Sequence, residues 1–124
     1  MMLDASALLA YLNGEPGGEK VPVNTGEARI SAVNYSEAVA VLTRLGARTA
    51  EVRATLSSIL LDVVEFDRDQ AEAAGFMIAT TRSLGLSLGD RACLAAARAQ
   101  GIPAMTADRS WSDLGTGVSI QLIR

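Results

Sequence analysis

Four acidic residues stand at predicted boundaries between elements: Asp4, Glu37 and Asp108 follow predicted strands, and Asp90 lies in the first turn of the helix before the fourth strand. Carboxylate oxygens are the ligands that Mg2+ and Mn2+ prefer. If these groups meet, their like charges raise one another's pKa, and a divalent cation is the best compensation. A hard cation held in this way activates water and neutralises charge on phosphoryl oxygens. The four acids therefore predict metal-assisted hydrolysis of a phosphodiester.

Composition narrows the possible chemistry. The chain has no histidine, which excludes Ser-His-Asp and Cys-His catalysis and most zinc sites. A net charge of -3 argues against a protein that holds nucleic acid by bulk positive charge. A local basic rim is still available from Lys20 and the arginines. Cys93, the only cysteine, is predicted to be a small core residue.

No apolar run approaches the roughly 20 residues of a membrane span, and the start of the chain has no basic region typical of a secretory signal. We therefore expect a cytoplasmic protein. Its 124 residues are predicted to form one domain, 1–124.

Hydrophobic patterning predicts strands that alternate with helices. Strands are expected at 1–3, 28–32, 62–66, 102–106 and 118–123, and helices at 5–12, 35–45, 49–60 and 67–84. A further helix is expected to begin after Ser87 and end near Gly101, and a helical turn to span 110–114. Segment 19–27 is expected to hold a turn of helix at most, because it contains Pro22, Asn24 and Gly26. The alternation predicts an α/β fold with three layers, in which helices cover both faces of a mostly parallel sheet of about five strands.

Such a fold gathers the acids, because residues just past the carboxyl ends of neighbouring parallel strands share one crevice. Each acid also has a purely structural explanation. Asp4 and Asp108 are placed to cap helical segments. Glu37 completes a capping box with Asn34, and Asp90 completes one with Ser87.

Several neighbours of the acids have two possible roles. The hydroxyls of Ser6 and Thr106 either orient a carboxylate or a metal-bound water, or satisfy backbone groups. Arg91 and Arg109 either meet phosphates or remain solvated. Separately from these, Trp111 is expected to anchor the core or an interface, Asp113 to be a solvated helical residue, and Asp67 and Asp69 to be surface charges that match a helix dipole.

Four blocks of sequence resemble the PIN domain, and more narrowly the VapC toxins of type II toxin–antitoxin modules. They run in the family's order and cover nearly the whole chain: LDASALLA from Leu3, ISAVNYSE from Ile30, LSLGDRACLA from Leu86 and TADRSW from Thr106. The resemblance implies a small α/β/α fold and a ribonuclease dependent on Mg2+ or Mn2+.

The resemblance also implies the roles of individual residues and the partners. Asp4 and Asp90 match the family's most dependable metal ligands, and Glu37 and Asp108 match the other two acidic positions. A homodimer and a cognate VapB-like antitoxin are implied as partners, with RNA as the substrate. Between Gly18 and Ala28 the chain departs from the family, which usually has a continuous helix there.

Two other functions fit parts of the pattern. A receiver-like signalling domain also has an acidic Mg2+ pocket, but Asp4 has no acidic neighbour and the only lysine, Lys20, lies in an early loop. A non-catalytic RNA- or protein-binding module on the PIN fold is the closer alternative, although the presence of all four acids argues against it.

Overall fold

A computed structural model describes all residues, 1–124. Its centre is a five-stranded sheet in which every neighbouring pair is parallel. The strands are β1 (Met2–Leu3), β2 (Ala28–Ser31), β3 (Leu61–Val64), β4 (Ala104–Thr106) and β5 (Ile120–Leu122), in the order β3-β2-β1-β4-β5. The predicted parallel sheet of about five strands is confirmed.

Helices connect the strands. They are α1 (Ala5–Leu12), α2 (Ala32–Arg44), α3 (Thr49–Ser57), α4 (Arg68–Phe76), α5 (Ile78–Thr81) and α6 (Leu88–Gln100). Short 3-10 turns occupy Gly18–Lys20, Arg82–Leu84 and Arg109–Asp113. The first of these confirms that segment 19–27 holds no more than a turn of helix.

The core lies on both faces of the sheet, as a three-layer fold requires. One cluster joins Leu3 of β1 to Leu8 of α1 and Leu56 of α3. The other joins Met2 of β1 to Leu94 of α6 and to Trp111, which is fully buried. Successive strand residues point to opposite faces, so the two residues of β1 serve the two halves of the core.

The strand order reverses direction between β1 and β4. The chain runs outward from β1 to β2 and β3, and then returns to place β4 on the other side of β1. Open parallel sheets form their ligand crevice beyond the carboxyl ends of the strands at such a point. Asp4 follows β1 and Asp108 follows β4, so both lie at this edge.

Three predicted helices have different bounds in the structure, and the one expected at 49–60 ends at Ser57. The continuous helix expected over 67–84 is wrong, because α4 ends at Phe76 and Met77 leads into α5 and a 3-10 turn. The hydroxyls of Thr80 and Thr81 donate to Met77 O; such side-chain bonds compete with regular helix bonds. Helix α2 begins at Ala32 with Ser31 as its cap, so the predicted cap at Asn34 is also wrong.

Cys93 is buried, as predicted. None of the helices is both long and apolar enough to cross a bilayer.

Candidate active site

Asp4 is buried directly after β1, where it precedes α1. Its side chain makes no capping bond to α1, so the structural explanation for this acid fails. Oδ2 instead accepts hydrogen bonds from Ser6 Oγ at 2.7 Å and from Thr106 Oγ1 at 3.0 Å. Burial raises the pKa of Asp4, the two hydroxyls oppose that rise, and the charge of Asp90 adds to it.

Ser6 and Thr106 therefore orient a carboxylate, and they also satisfy backbone groups. Ser6 Oγ accepts from Ala107 N at 3.0 Å, and Thr106 Oγ1 accepts from Asp108 N at 3.0 Å. Both predicted roles are present in the same two residues. Together they tie the start of α1 to the end of β4 around Asp4.

Asn34 occupies the first turn of α2 and is completely buried. Its Nδ2 lies 3.4 Å from Asp4 Oδ1, 3.1 Å from Glu37 Oε1 and 2.9 Å from Gly89 O. One amide group thus contacts three segments that are distant in sequence. Sequence reasoning assigned Asn34 only to a cap; its spacing of three residues from Glu37, which puts both on one face of a helix that starts earlier, was the available signal.

Glu37 is exposed at the start of α2, with its carboxylate turned toward α6. A Cβ atom on Gly89 would stand 2.1 Å from Glu37 Oε1, so the absence of a side chain at Gly89 makes this approach possible. Burial raises the pKa of Glu37, and the charges of Asp4 and Asp90 raise it further. The capping box predicted for Glu37 and Asn34 is wrong, because the bond comes from the Asn34 side chain.

Asp90 closes a capping box at the start of α6. Its backbone N donates to Ser87 Oγ at 3.1 Å, and Ser87 N donates to Asp90 Oδ2 at 2.9 Å. The predicted structural role of Asp90 is therefore confirmed. The same carboxylate is close enough to raise the pKa of Asp4 and Glu37. Asp90 therefore caps α6 and also belongs to the acidic group.

Asp108 stands apart from the other three acids. It is exposed, and its Oδ1 accepts from Ser110 N at 2.9 Å and from Ser110 Oγ at 2.7 Å. Asp108 therefore caps the turn Arg109–Asp113, which is the structural role predicted for it from the sequence. Asp108 is joined to the group only through Thr106, so its part in a metal site stays a prediction.

The two arginines beside the acids differ from each other. Arg91 is half-buried and donates to Ala74 O at 2.8 Å, so it links α6 to α4 rather than lying free in solvent. Arg109 is exposed at the crevice edge and donates to Arg124 O. Trp111 is a core residue, as predicted.

The side chains around the crevice offer carboxylate oxygens, which a hard cation prefers, but they do not converge on one point. No three acidic or thiol side chains lie close enough together to hold a metal ion in this conformation. Cys93 lies inside the apolar core, where burial and the nearby carboxylates raise the pKa of its thiol well above its usual value. The remaining donors are carboxylate oxygens. Mg2+ needs only one or two of them together with water, so the residues fit Mg2+ or Mn2+.

Comparison with known proteins identifies the family. The model of the PIN domain family matches residues 1–116. The chain belongs to the PIN-domain family. Among curated proteins, none matches this chain in sequence.

Several solved structures share the fold over nearly the whole chain. The DNA-bound VapBC complex of Salmonella typhimurium is similar at a TM-score of 0.77 and 20% identity, with 99% of this chain and 97% of that chain covered. VapC20 of Mycobacterium tuberculosis, described as a toxin that cleaves the sarcin–ricin loop, gives 0.74 and 19%, with 92% and 94% covered. A toxin–antitoxin complex from Klebsiella pneumoniae gives 0.73 and 15%, with 99% and 97% covered.

Proposed function

We propose that this PIN-domain protein is a metal-dependent endoribonuclease that hydrolyses RNA phosphodiesters, and that it is the toxin of a VapBC-like type II toxin–antitoxin system. One observation carries the proposal. Asn34 Nδ2 lies 3.4 Å from Asp4 Oδ1 and 3.1 Å from Glu37 Oε1, and the charge of Asp90 raises the pKa of both carboxyl groups, at the point where the strand order reverses. An uncompensated group of this kind is unfavourable, and a bound cation explains why it is kept.

Asp4, Glu37 and Asp90 would hold Mg2+ or Mn2+, with Asp108 as a fourth acid at the rim. The metal supplies a more acidic water and positive charge beside the phosphoryl oxygens. Within the chain, Ser6 and Thr106 fix Oδ2 of Asp4 and leave Oδ1 facing Asn34. Oδ1 is therefore the oxygen of Asp4 that would bind a cation.

The proposed partners are an RNA substrate, a VapB-like antitoxin and a second copy of the chain, in the cytoplasm. The similar structure from Klebsiella pneumoniae is a toxin–antitoxin complex, the one from Salmonella typhimurium is VapBC, and VapC20 is described as cleaving the sarcin–ricin loop. Arg109 at the crevice edge offers positive charge to the backbone of the substrate.

The direct test is cleavage of total RNA with Mn2+ by wild-type protein and by Asp4→Asn. We expect cleavage by the wild type that disappears when Mn2+ is chelated, and none by Asp4→Asn. The matched control is Asp62→Asn, the same chemical change at an exposed residue of β3, which should cleave like wild type. Equal cleavage by wild type and Asp4→Asn would overturn the catalytic proposal.

The second candidate is a non-catalytic RNA- or protein-binding module. The observation in its favour is that no three carboxylates stand within reach of one ion in this conformation. This alternative predicts RNA or protein binding that is the same in wild type and Asp4→Asn, without cleavage by either.

A further inference from the structure

The side-chain amide of Asn34 donates hydrogen bonds through Nδ2 but accepts none through Oδ1. Nδ2 contacts Asp4 Oδ1, Glu37 Oε1 and Gly89 O, whereas the buried Oδ1 has no hydrogen-bond partner. A buried polar atom without a partner is unfavourable, and such atoms are rare in folded proteins. Five buried side-chain atoms of this chain have no partner, and Asn34 Oδ1 is the one whose side chain also contacts Asp4 and Glu37.

The surroundings dictate which way the amide faces. If the amide were turned over, Oδ1 would replace Nδ2 beside two carboxylates and a carbonyl, all of which only accept hydrogen bonds. The observed orientation places the NH2 group among the three acceptors and leaves the carbonyl unpaired. Contact with the acidic group thus decides the orientation of Asn34.

The position of Asn34 links the elements that carry the acids. Asp4 follows β1, Glu37 belongs to α2, and Gly89 directly precedes Asp90 in α6. Gly89 is buried, and a Cβ there would fit only if the Glu37 carboxylate moved away. The amide and the glycine together fix where the Glu37 carboxylate lies relative to Asp4.

From these contacts we propose that Asn34 is a positioning residue that sets the affinity of the site for a divalent cation, by holding the carboxylates of Asp4 and Glu37 against the start of α6. This inference rests on the proposed function. Groups that hydrogen-bond to metal ligands fix ligand orientation, and their loss typically weakens metal binding about 10–100-fold. Without its amide donor, the exposed Glu37 side chain is free to swing into solvent.

The test compares Asn34→Val with Asn34→Thr, which have the same shape but differ in one hydroxyl donor. Mn2+ binding is measured by electron paramagnetic resonance, without RNA. We expect Asn34→Val to bind Mn2+ about 10–100-fold more weakly than wild type, and Asn34→Thr to recover part of the loss. Asn24→Ala, in an exposed loop, is the control for losing an asparagine amide and should bind like wild type.

A kinetic readout separates positioning from a general structural defect. With Asn34→Val, the Mn2+ concentration for half-maximal RNA cleavage should rise by the same factor as the dissociation constant. The kcat at saturating Mn2+ and the KM for RNA should stay near the wild-type values. If Asn34→Val fails to fold, Gly89→Ala tests the same idea, because the added Cβ displaces the Glu37 carboxylate and should weaken Mn2+ binding.

Several results would overturn the inference. The first is wild-type Mn2+ affinity in Asn34→Val, and the second is equal Mn2+ affinity in Asn34→Val and Asn34→Thr. The third applies if Asn34→Val fails to fold, and it is wild-type Mn2+ affinity in Gly89→Ala. Each would leave the proposed nuclease intact if Asp4→Asn is inactive. Absence of Mn2+ binding by the wild-type protein would overturn both proposals.

Discussion

The two oxygens of Asp4 face different surroundings. Oδ2 accepts from two hydroxyls that belong to the protein's own scaffold, whereas Oδ1 has only the long contact to Asn34. This asymmetry leaves one oxygen of a buried carboxylate with a single weak hydrogen bond. Burial raises the pKa of Asp4, and the charge of Asp90 raises it further, while the two hydroxyls oppose the rise.

A pH-dependent stability follows from the raised pKa of Asp4. As pH rises above its ordinary value of 3.8, the unfolded chain releases this proton before the folded protein does, so the free energy of unfolding falls. The loss is complete once pH exceeds the folded pKa. Without divalent metal, we expect Asp4→Asn to gain stability relative to wild type between about pH 4 and neutrality, because it lacks this titration.

Urea unfolding at several pH values measures the difference, and comparison across pH cancels effects of the substitution that do not depend on pH. Asp62→Asn provides the control for the same chemical change at an exposed site. A difference between wild type and Asp4→Asn that stays constant with pH would contradict this prediction.

At the scale of elements, α6 combines a stable start with a buried apolar face. Ser87 and Asp90 form its capping box, and the residues from Ala92 to Ala97 are all buried. Since an N-terminal cap fixes where a helix begins, it also fixes where the Asp90 carboxylate stands. The first turn of α6 therefore contains both the helix cap and a carboxylate of the proposed site.

Loss of the Ser87 cap should be measurable. Ser87→Ala removes the acceptor for Asp90 N, and we expect it to lower the free energy of unfolding by about 1 kcal/mol, within a usual range of 0.5–2. Ser83→Ala, at an exposed position in the turn before α6, is the matched control and should change stability little. Equal effects of the two variants in chemical denaturation would show that the cap contributes nothing.

Helices with local signals could be predicted from the sequence, and those decided by distant contacts could not. The bounds of α1, Ala5–Leu12, were predicted, because an Asn-Gly pair ends it at a definite place. The start of α2 was missed because Ser31, which caps it, was assigned to the preceding strand; the contacts of Asn34 with Asp4 and Gly89, 30 and 55 residues away, were not predicted either. Nothing in the local pattern shows such partners.

At the scale of the whole molecule, the alternation of strands and helices predicted the sheet and one shared edge for the acids. It did not predict the strand order, which puts β1 beside β4 and so joins Asp4 to Thr106. It also did not separate Asp108 from the other acids. That separation depends on the local turn in which Ser110 binds the Asp108 carboxylate.

Metal binding should stabilise the fold as a whole. A ligand that binds only the folded state at 100 times its Kd adds about 2.7 kcal/mol, so Mn2+ should raise the wild-type Tm by several degrees. The rise should be smaller in Asp90→Asn, which loses a charge but keeps a side-chain oxygen for Ser87 N. Asp69→Asn, on the exposed start of α4, should respond like wild type.

Thermal melts with and without Mn2+, repeated after chelation, measure these shifts. An equal rise in Asp90→Asn and wild type would remove Asp90 from the metal site.

Trp111 gives this protein a built-in optical signal. It is the only tryptophan, it is fully buried, and its backbone N bonds to Asp108 O at the end of the crevice. Its fluorescence therefore comes from a single, water-shielded indole attached to the turn that carries the fourth acid. A cation that drew Asp108 inward would change that emission, so the arrival of the ion can be followed in unlabelled protein and in real time.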